Sequence, residues 1–152
     1  MPLGQGVVYD RGMKIASDQA MSALGAQIAA QLHGGQVIEL IGDVGAGKTT
    51  LTKGLARGLG IAEAVQSPTF TISRRYQGKQ WYLAHYDFYR LDDAGIMQDE
   101  LAETLADSDT ITVIEWAGSV AGILPAEHIT ITITADAADA NARHVHIQGI
   151  NI

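Results

Sequence analysis

Apolar residues recur along this chain in two rhythms, and the changes between them mark the expected elements. Met21, Leu24, Ile28 and Leu32 stand three and four residues apart, the spacing of a helix with one buried stripe. Ser17 before Asp18 reads as its N-cap and Gly34-Gly35 as its stop. Residues 37–41 form a short apolar run rich in β-branched side chains, as in a strand buried on both faces of a parallel sheet. Leu51, Leu55 and Leu59 then repeat every fourth residue until Gly60, which predicts a second amphipathic helix. Residues 70–76 and 81–86 are β-prone and joined by Gln77-Gly78-Lys79-Gln80, the pattern of an antiparallel hairpin. A helix is expected over about 96–106, and a second buried strand over 111–114, ending at Glu115. Residues 129–134 and 143–147 alternate more openly and predict a closing pair of strands around a turn at 137–142. The sum is an α/β fold: a mixed, mostly parallel central sheet flanked by helices, with a β-hairpin after the second helix.

Composition narrows the class. At 152 residues a single domain over the whole length is expected. With 47% apolar and 18% charged residues, the chain has the balance of a folded domain and not of a disordered tail. A formal charge of −7 argues against the chain itself being the main grip on a nucleic acid, since lysine and arginine supply that grip. Any nucleic acid is expected to be reached through a partner. No cysteine is present, which excludes disulfides and thiolate metal sites. Residues 1–10 lack a basic flank followed by an apolar stretch, and the apolar runs are only a few residues long, so neither signal peptide nor membrane span is expected and cytoplasm is the default.

Between the strand at 37–41 and the helix that follows lies GDVGAGKTT, residues 42–50. Gly42, Gly47, Lys48 and Thr49 satisfy G-x-x-x-x-G-K-[ST] in the strand–loop–helix setting that a P-loop NTPase requires. Nucleotide binding is therefore expected from Gly42, Asp43, Val44, Gly45, Ala46, Gly47, Lys48, Thr49 and Thr50. Gly42, Gly45 and Gly47 allow torsions and close amide approach that side chains forbid, and the helix start presents its positive end. Lys48 reaches the outer phosphates, and the Thr49 hydroxyl is placed to ligate magnesium.

Hydrolysis needs more than a cradle: a further carboxylate for magnesium, and a group that orients water. Glu115, after a buried strand at the carboxyl edge of the sheet, and Asp87, two residues beyond His85 on one strand face, are the candidates. Glu115 could bind magnesium, hold a magnesium-bound water or position the attacking one. Ser67-Pro68-Thr69 falls where switches of phosphate-loop proteins often meet the terminal phosphate, although a plain turn reads equally well. Arg74 and Arg75 point to opposite strand faces, so only one could serve a phosphate. His144 and His146 share a face without a third ligand and read as an exposed pair.

The blocks GDVGAGKTT, SPTF, HYDFYRL and IEWAG, in this order and at these intervals, resemble the TsaE family, formerly called YjeE, over about residues 17–124. The resemblance implies a small bacterial ATPase needed to make threonylcarbamoyladenosine beside the tRNA anticodon, with TsaD and TsaB as partners and tRNA met only through their complex. In that family TsaD transfers the group from threonylcarbamoyl-AMP, and TsaE hydrolyses ATP to reset the assembly. It places the magnesium threonine on Thr49, the essential aspartate on Asp87, the magnesium-linked glutamate on Glu115 and the family tryptophan on Trp116, which could face a partner, shield the site or simply pack. Two departures stand out. Ala117-Gly118 replaces the usual proline and polar residue, implying looser geometry just beyond the site, and Met21 takes the place of a threonine that lies by the nucleotide. An Asn-Lys-x-Asp guanine reader is missing, which disfavours GTP. The rival readings are a small-molecule kinase, which usually closes an arginine-bearing lid, and a nucleotide-gated switch with negligible turnover. The six arginines here are scattered from Arg11 to Arg143, with no clustered lid.

Overall fold

A computed structural model describes residues 9–43, 45–68, 71–91, 95 and 97–152. Val44, Thr69, Phe70 and Ile96, on which parts of the sequence reading fall, lie outside the described residues. The element order is β1 (Asp10–Ile15), α1 (Asp18–Ala29), β2 (Val37–Ile41), α2 (Lys48–Gly58), β3 (Ser73–Gln77), β4 (Tyr82–Asp87), α3 (Met97–Leu105), β5 (Thr110–Glu115), a 3-10 turn at Ala117–Ile123, β6 (Ile129–Ala135) and β7 (Arg143–Gln148).

The strands form one seven-stranded sheet in the order β1-β7-β6-β2-β5-β4-β3. Its centre, β6-β2-β5-β4, is parallel, and antiparallel partners extend each edge: β3 beside β4, and β7 then β1 beyond β6. The hairpin after the α2 helix is present, with β3 beginning at Ser73. Two elements had no sequence expectation. β1 is a polar edge strand, buried only at Ile15, and its extended form comes from pairing with β7. The 3-10 turn follows from neither helical nor strand periodicity.

Alternation along the strands separates two cores. Ile38, Leu40, Leu83, Ile111 and Val113 face α1 and α2, where Met21, Leu24, Ile28, Leu51 and Leu55 complete one cluster. Val37, Ala84, Tyr86 and Ile114 face the other way, against Leu101 of α3 and Val120 of the 3-10 turn. His85, Asp87 and Glu115 continue the rows of the first face up to the carboxyl ends of β4 and β5, and all three are buried. Polar side chains thus finish an apolar face at the edge where α2 begins.

The two helices of the first layer approach each other through glycine. Ser17 caps α1 by accepting from the Ala20 amide at 3.1 Å. A Cβ on Gly54 would lie 2.1 Å from the Ser22 carbonyl oxygen, and one on Gly25 would lie 2.4 Å from that of Leu51. These contacts are backbone to backbone, so no rotamer change relieves them. Gly54→Ala should therefore destabilise the protein by about 1–3 kcal/mol through overpacking, against a helix-propensity gain of about 1 kcal/mol. Urea unfolding measures the balance: a midpoint equal to or above the parent's would disprove the seam.

Candidate nucleotide site

The phosphate loop leaves β2 beneath β6. A Cβ on Gly42 would stand 2.8 Å from the Ile133 carbonyl oxygen and 3.2 Å from Ala46 Cβ, so at this position glycine is required by space. The expected special torsions occur at Gly45 (φ 82°) and Gly47 (φ 108°), and Gly42 is not among the positive-φ residues. The Ala46 amide closes a turn onto the Asp43 carbonyl at 3.0 Å. Gly47 caps α2 without a side-chain bond. The Leu51 amide bonds the Gly47 carbonyl at 3.0 Å, so the amides of Lys48, Thr49 and Thr50 precede the first intrahelical donor and are available to an anion. A cleft of about 270 Å³ opens there, lined by Gly45, Gly47, Lys48, Thr49, Thr50, Asp18 and Arg143.

Lys48 turns inward. It is 6% exposed, with Nζ 3.6 Å from Glu115 Oε1 and 4.2 Å from the centroid of the Trp116 ring. The second Glu115 oxygen lies 2.6 Å from His85 Nε2. Asp87 is the direct register partner of Glu115 across β4 and β5. Its carboxylate accepts from the Tyr89 amide at 2.9 Å and from the Ser67 hydroxyl at 3.4 Å. The strand tips are also tied through main chain, Phe88 N–H donating to the Glu115 carbonyl at 3.1 Å. Lys48, Asp87, Glu115, Trp116 and Ser67, separate in sequence, thus converge at one end of the loop. Thr49 and Thr50 line the cleft, half-buried.

Two residues beside the carboxylates hold unusual backbone. Trp116, immediately after Glu115, is left-handed (φ 55°, ψ 52°), and its ring packs on Tyr89 with centroids 4.8 Å apart. It shields the Lys48 side chain. Ile72 has φ 68°, a conformation a β-branched residue adopts only under constraint. Its N–H donates to the Pro68 carbonyl at 2.7 Å, and its own carbonyl accepts from Asp87 N–H at 2.8 Å. The stretch that begins at Ser67-Pro68 is therefore fastened to the Asp87 strand end by side chain and main chain.

Sequence reasoning set His85 on the face of Asp87 but gave it no role; its pairing with Glu115 crosses two strands and has no local signal. Arg143, which also lines the cleft, was read only as one of the scattered arginines. Arg75 lies over the Tyr82 ring at 4.2 Å and pairs with Asp107 at 3.4 Å, away from the loop. His144 pairs with Asp136 at 2.7 Å, and His146 pairs with Asp10; both histidines are exposed. Among the described residues no group of three or more His, Cys, Asp or Glu side chains is arranged to hold a metal ion.

Comparison with known proteins accords with these blocks. The sequence model of the family "Threonylcarbamoyl adenosine biosynthesis protein TsaE" matches residues 15–145. The chain belongs to the TsaE family. It is 38% identical to the tRNA threonylcarbamoyladenosine biosynthesis protein TsaE of Streptomyces coelicolor, over 86% of this chain and 90% of that one. With the Bacillus subtilis protein of the same name it shares 38% identity over 79% of this chain and 75% of the relative. The crystal structure of Bacillus subtilis YdiB superposes with a TM-score of 0.76 at 31% identity, covering 97% of this chain and 90% of the other.

Within this TsaE-family chain, the departures take definite form. Ala117 and Val120 are buried in the 3-10 turn, whereas Gly118, Ala121 and Gly122 are exposed. Met21 is 1% exposed and its Cε comes within 3.4 Å of a Cβ placed on Gly47, so it supports the loop from beneath. The Lys48–Glu115 pair carries a stability consequence. Glu115→Ala leaves a buried ammonium without its counter-charge, which costs about 3 kcal/mol or more. Adding Lys48→Met should recover part of that loss. A double-mutant cycle by chemical unfolding checks the coupling, and strictly additive effects would show that the two charges do not interact.

Proposed function

We propose that this chain binds ATP on residues 42–50 and hydrolyses it in the biosynthesis of threonylcarbamoyladenosine on tRNA, acting on an assembly of TsaD and TsaB. The observation that carries the reading is the meeting of Lys48, from the first turn of α2, with Glu115 and Asp87 at the tips of the adjacent strands β5 and β4, next to the open amides of the α2 N-terminus.

The chemistry follows from what these groups can do. Loop amides and the Lys48 ammonium hold the triphosphate tail, whose charge competes with Glu115 for the ammonium and frees one Glu115 oxygen. His85 keeps the other oxygen in place. Asp87, oriented by Tyr89 N–H and Ser67, and Glu115 then stand as acceptors that orient a water for in-line attack. Magnesium fits this donor set: it takes one or two carboxylates together with phosphate oxygens, and Thr49 and Glu115 would hold it. When bound, it neutralises charge developing on the outer phosphates. Trp116, its ring packed on Tyr89, covers the ammonium and keeps bulk water from it, which strengthens its field. Thr69, expected near the terminal phosphate, lies outside the described residues. The acidic net charge of −7 supports contact with tRNA through the protein partners only.

A second reading, a nucleotide-gated switch with negligible turnover, is favoured by the constrained Ile72, which links the segment from Pro68 to Asp87. A kinase finds less support, because Arg75 is engaged with Tyr82 and Asp107, far from a lid role.

ATPase measurement of the purified chain, alone and with TsaD and TsaB, separates these readings. Slow hydrolysis that rises with the partners is expected; nucleotide-dependent binding without product would favour the switch, and transfer to a small acceptor the kinase. Asp87→Ala and Glu115→Gln should each retain ATP binding and lose about 100-fold or more in turnover, whereas Lys48→Ala should weaken binding itself. Turnover preserved in both carboxylate variants would reject the assigned roles.

A further inference from the structure

Arg143 opens β7, far along the chain from the phosphate loop, yet its guanidinium reaches that loop. Nε donates to the Ala46 carbonyl at 3.1 Å, and one terminal nitrogen stands 3.5 Å from the Gly45 carbonyl oxygen. The other terminal nitrogen donates to the carbonyls of Ala140 and Ala142, at 2.8 Å each. One planar cation thus joins two peptide groups of the loop to two of the β6–β7 turn.

The turn is a firm anchor. The Asp136 carboxylate accepts from the amides of Ala138 and Asp139 at 2.8 and 3.0 Å, and the Ala142 amide donates to the Asp139 carbonyl at 3.1 Å. The Ala138 amide, with His144 beside it, holds the Asp136 carboxyl at a pKa of about 2, so these bonds persist throughout the neutral range.

On the loop side, the decisive point is peptide geometry. In a trans peptide the carbonyl and the following N–H point in opposite directions, and the described chain has no cis bond. With its carbonyls drawn to Arg143, the loop directs the Gly47 N–H the other way, and the negative ends of two peptide dipoles are neutralised beside the cleft that Arg143, Gly47, Lys48 and Thr49 share. A carbonyl free to swing toward an anion would repel it. We infer that Arg143 is a positioning residue for the phosphate tail, holding the Ala46 peptide so that the Gly47 N–H faces the anion, while the Gly45 carbonyl is drawn away and the Ala46 N–H closes its turn onto Asp43. Planarity is essential to this role. A guanidinium serves several carbonyls lying in its plane, whereas a lysine ammonium in the same place is a point charge that cannot span them.

The inference rests on the nucleotide reading above, and the test separates the two. Affinities of the purified chain for ATP and for inorganic triphosphate are measured by calorimetry for the parent, Arg143→Ala, Arg143→Lys and Lys48→Ala, with thermal unfolding of each as a check on folding. Both Arg143 variants are expected to bind ATP and triphosphate about ten-fold more weakly, the loss of one charge-assisted bond. In the ATPase assay KM should rise while kcat stays within about two-fold, since Asp87 and Glu115 come from other strands. Arg143→Lys binding like the parent would reduce the role to net charge and overturn the inference. So would a loss confined to ATP with triphosphate unaffected, which would place Arg143 at the ribose or base. If Arg143→Ala fails to fold, the lysine variant alone decides. Normal affinity in Lys48→Ala, or no binding by the parent, would instead sink the nucleotide reading and this inference with it.

Discussion

A lysine ammonium with almost no solvent around it must have a counter-charge close by, and much of this molecule is arranged around that need at Lys48. Glu115 supplies the charge, and His85 fixes the carboxylate from its other side. Buried ions are costly to desolvate, and pairs of them are weak contributors to stability unless further hydrogen bonds complete them. Such an arrangement makes more sense as a prepared site than as a structural brace. Under the proposed nucleotide reading, a polyanion entering the cleft would find an ammonium already held in place by Glu115 and Trp116.

The loop's own residues are small and carry little shape, so its shape is imposed by its neighbours. Ile133 of β6 presses against Gly42, Met21 of α1 lies beneath Gly47, and Arg143 of β7 engages the carbonyls of Gly45 and Ala46. Each neighbour belongs to a different element. The glycine seam between α1 and α2 keeps Met21 close enough to act in this way, which ties a packing detail of the helical layer to the geometry of the anion cradle.

On the opposite flank the two acids sit beside backbone that would relax if it could. Trp116 and Ile72 hold left-handed conformations that cost on the order of 1–3 kcal/mol each. Hydrogen bonds to Asp87 and packing against Tyr89 keep them there. Strain next to a carboxylate pair is a way to store a conformational preference, and a partner or ligand that alters either contact would be felt at the strand tips.

Short-range periodicity carried most of the fold in the sequence. The bounds of β2, the N-cap of α1, the stop of α2 before Gly60 and the close of β5 at Glu115 follow from spacing, glycine and a serine cap, because each depends on residues within a turn or two, whereas α1 ends at Ala29, short of the Gly34-Gly35 stop that its stripe implied. β1 escaped notice because DRGMKI has no alternation of its own and is extended only by its partner. Asp87 and Glu115 were each legible as strand ends, but that they are register partners depended on β4 settling beside β5. His85 on Glu115 joins residues 30 apart, and Arg143 on Ala46 residues 97 apart. Local patterns state what a segment prefers, whereas sheet order decides which distant segments touch, and so only the tertiary structure could turn a histidine and a scattered arginine into parts of the site.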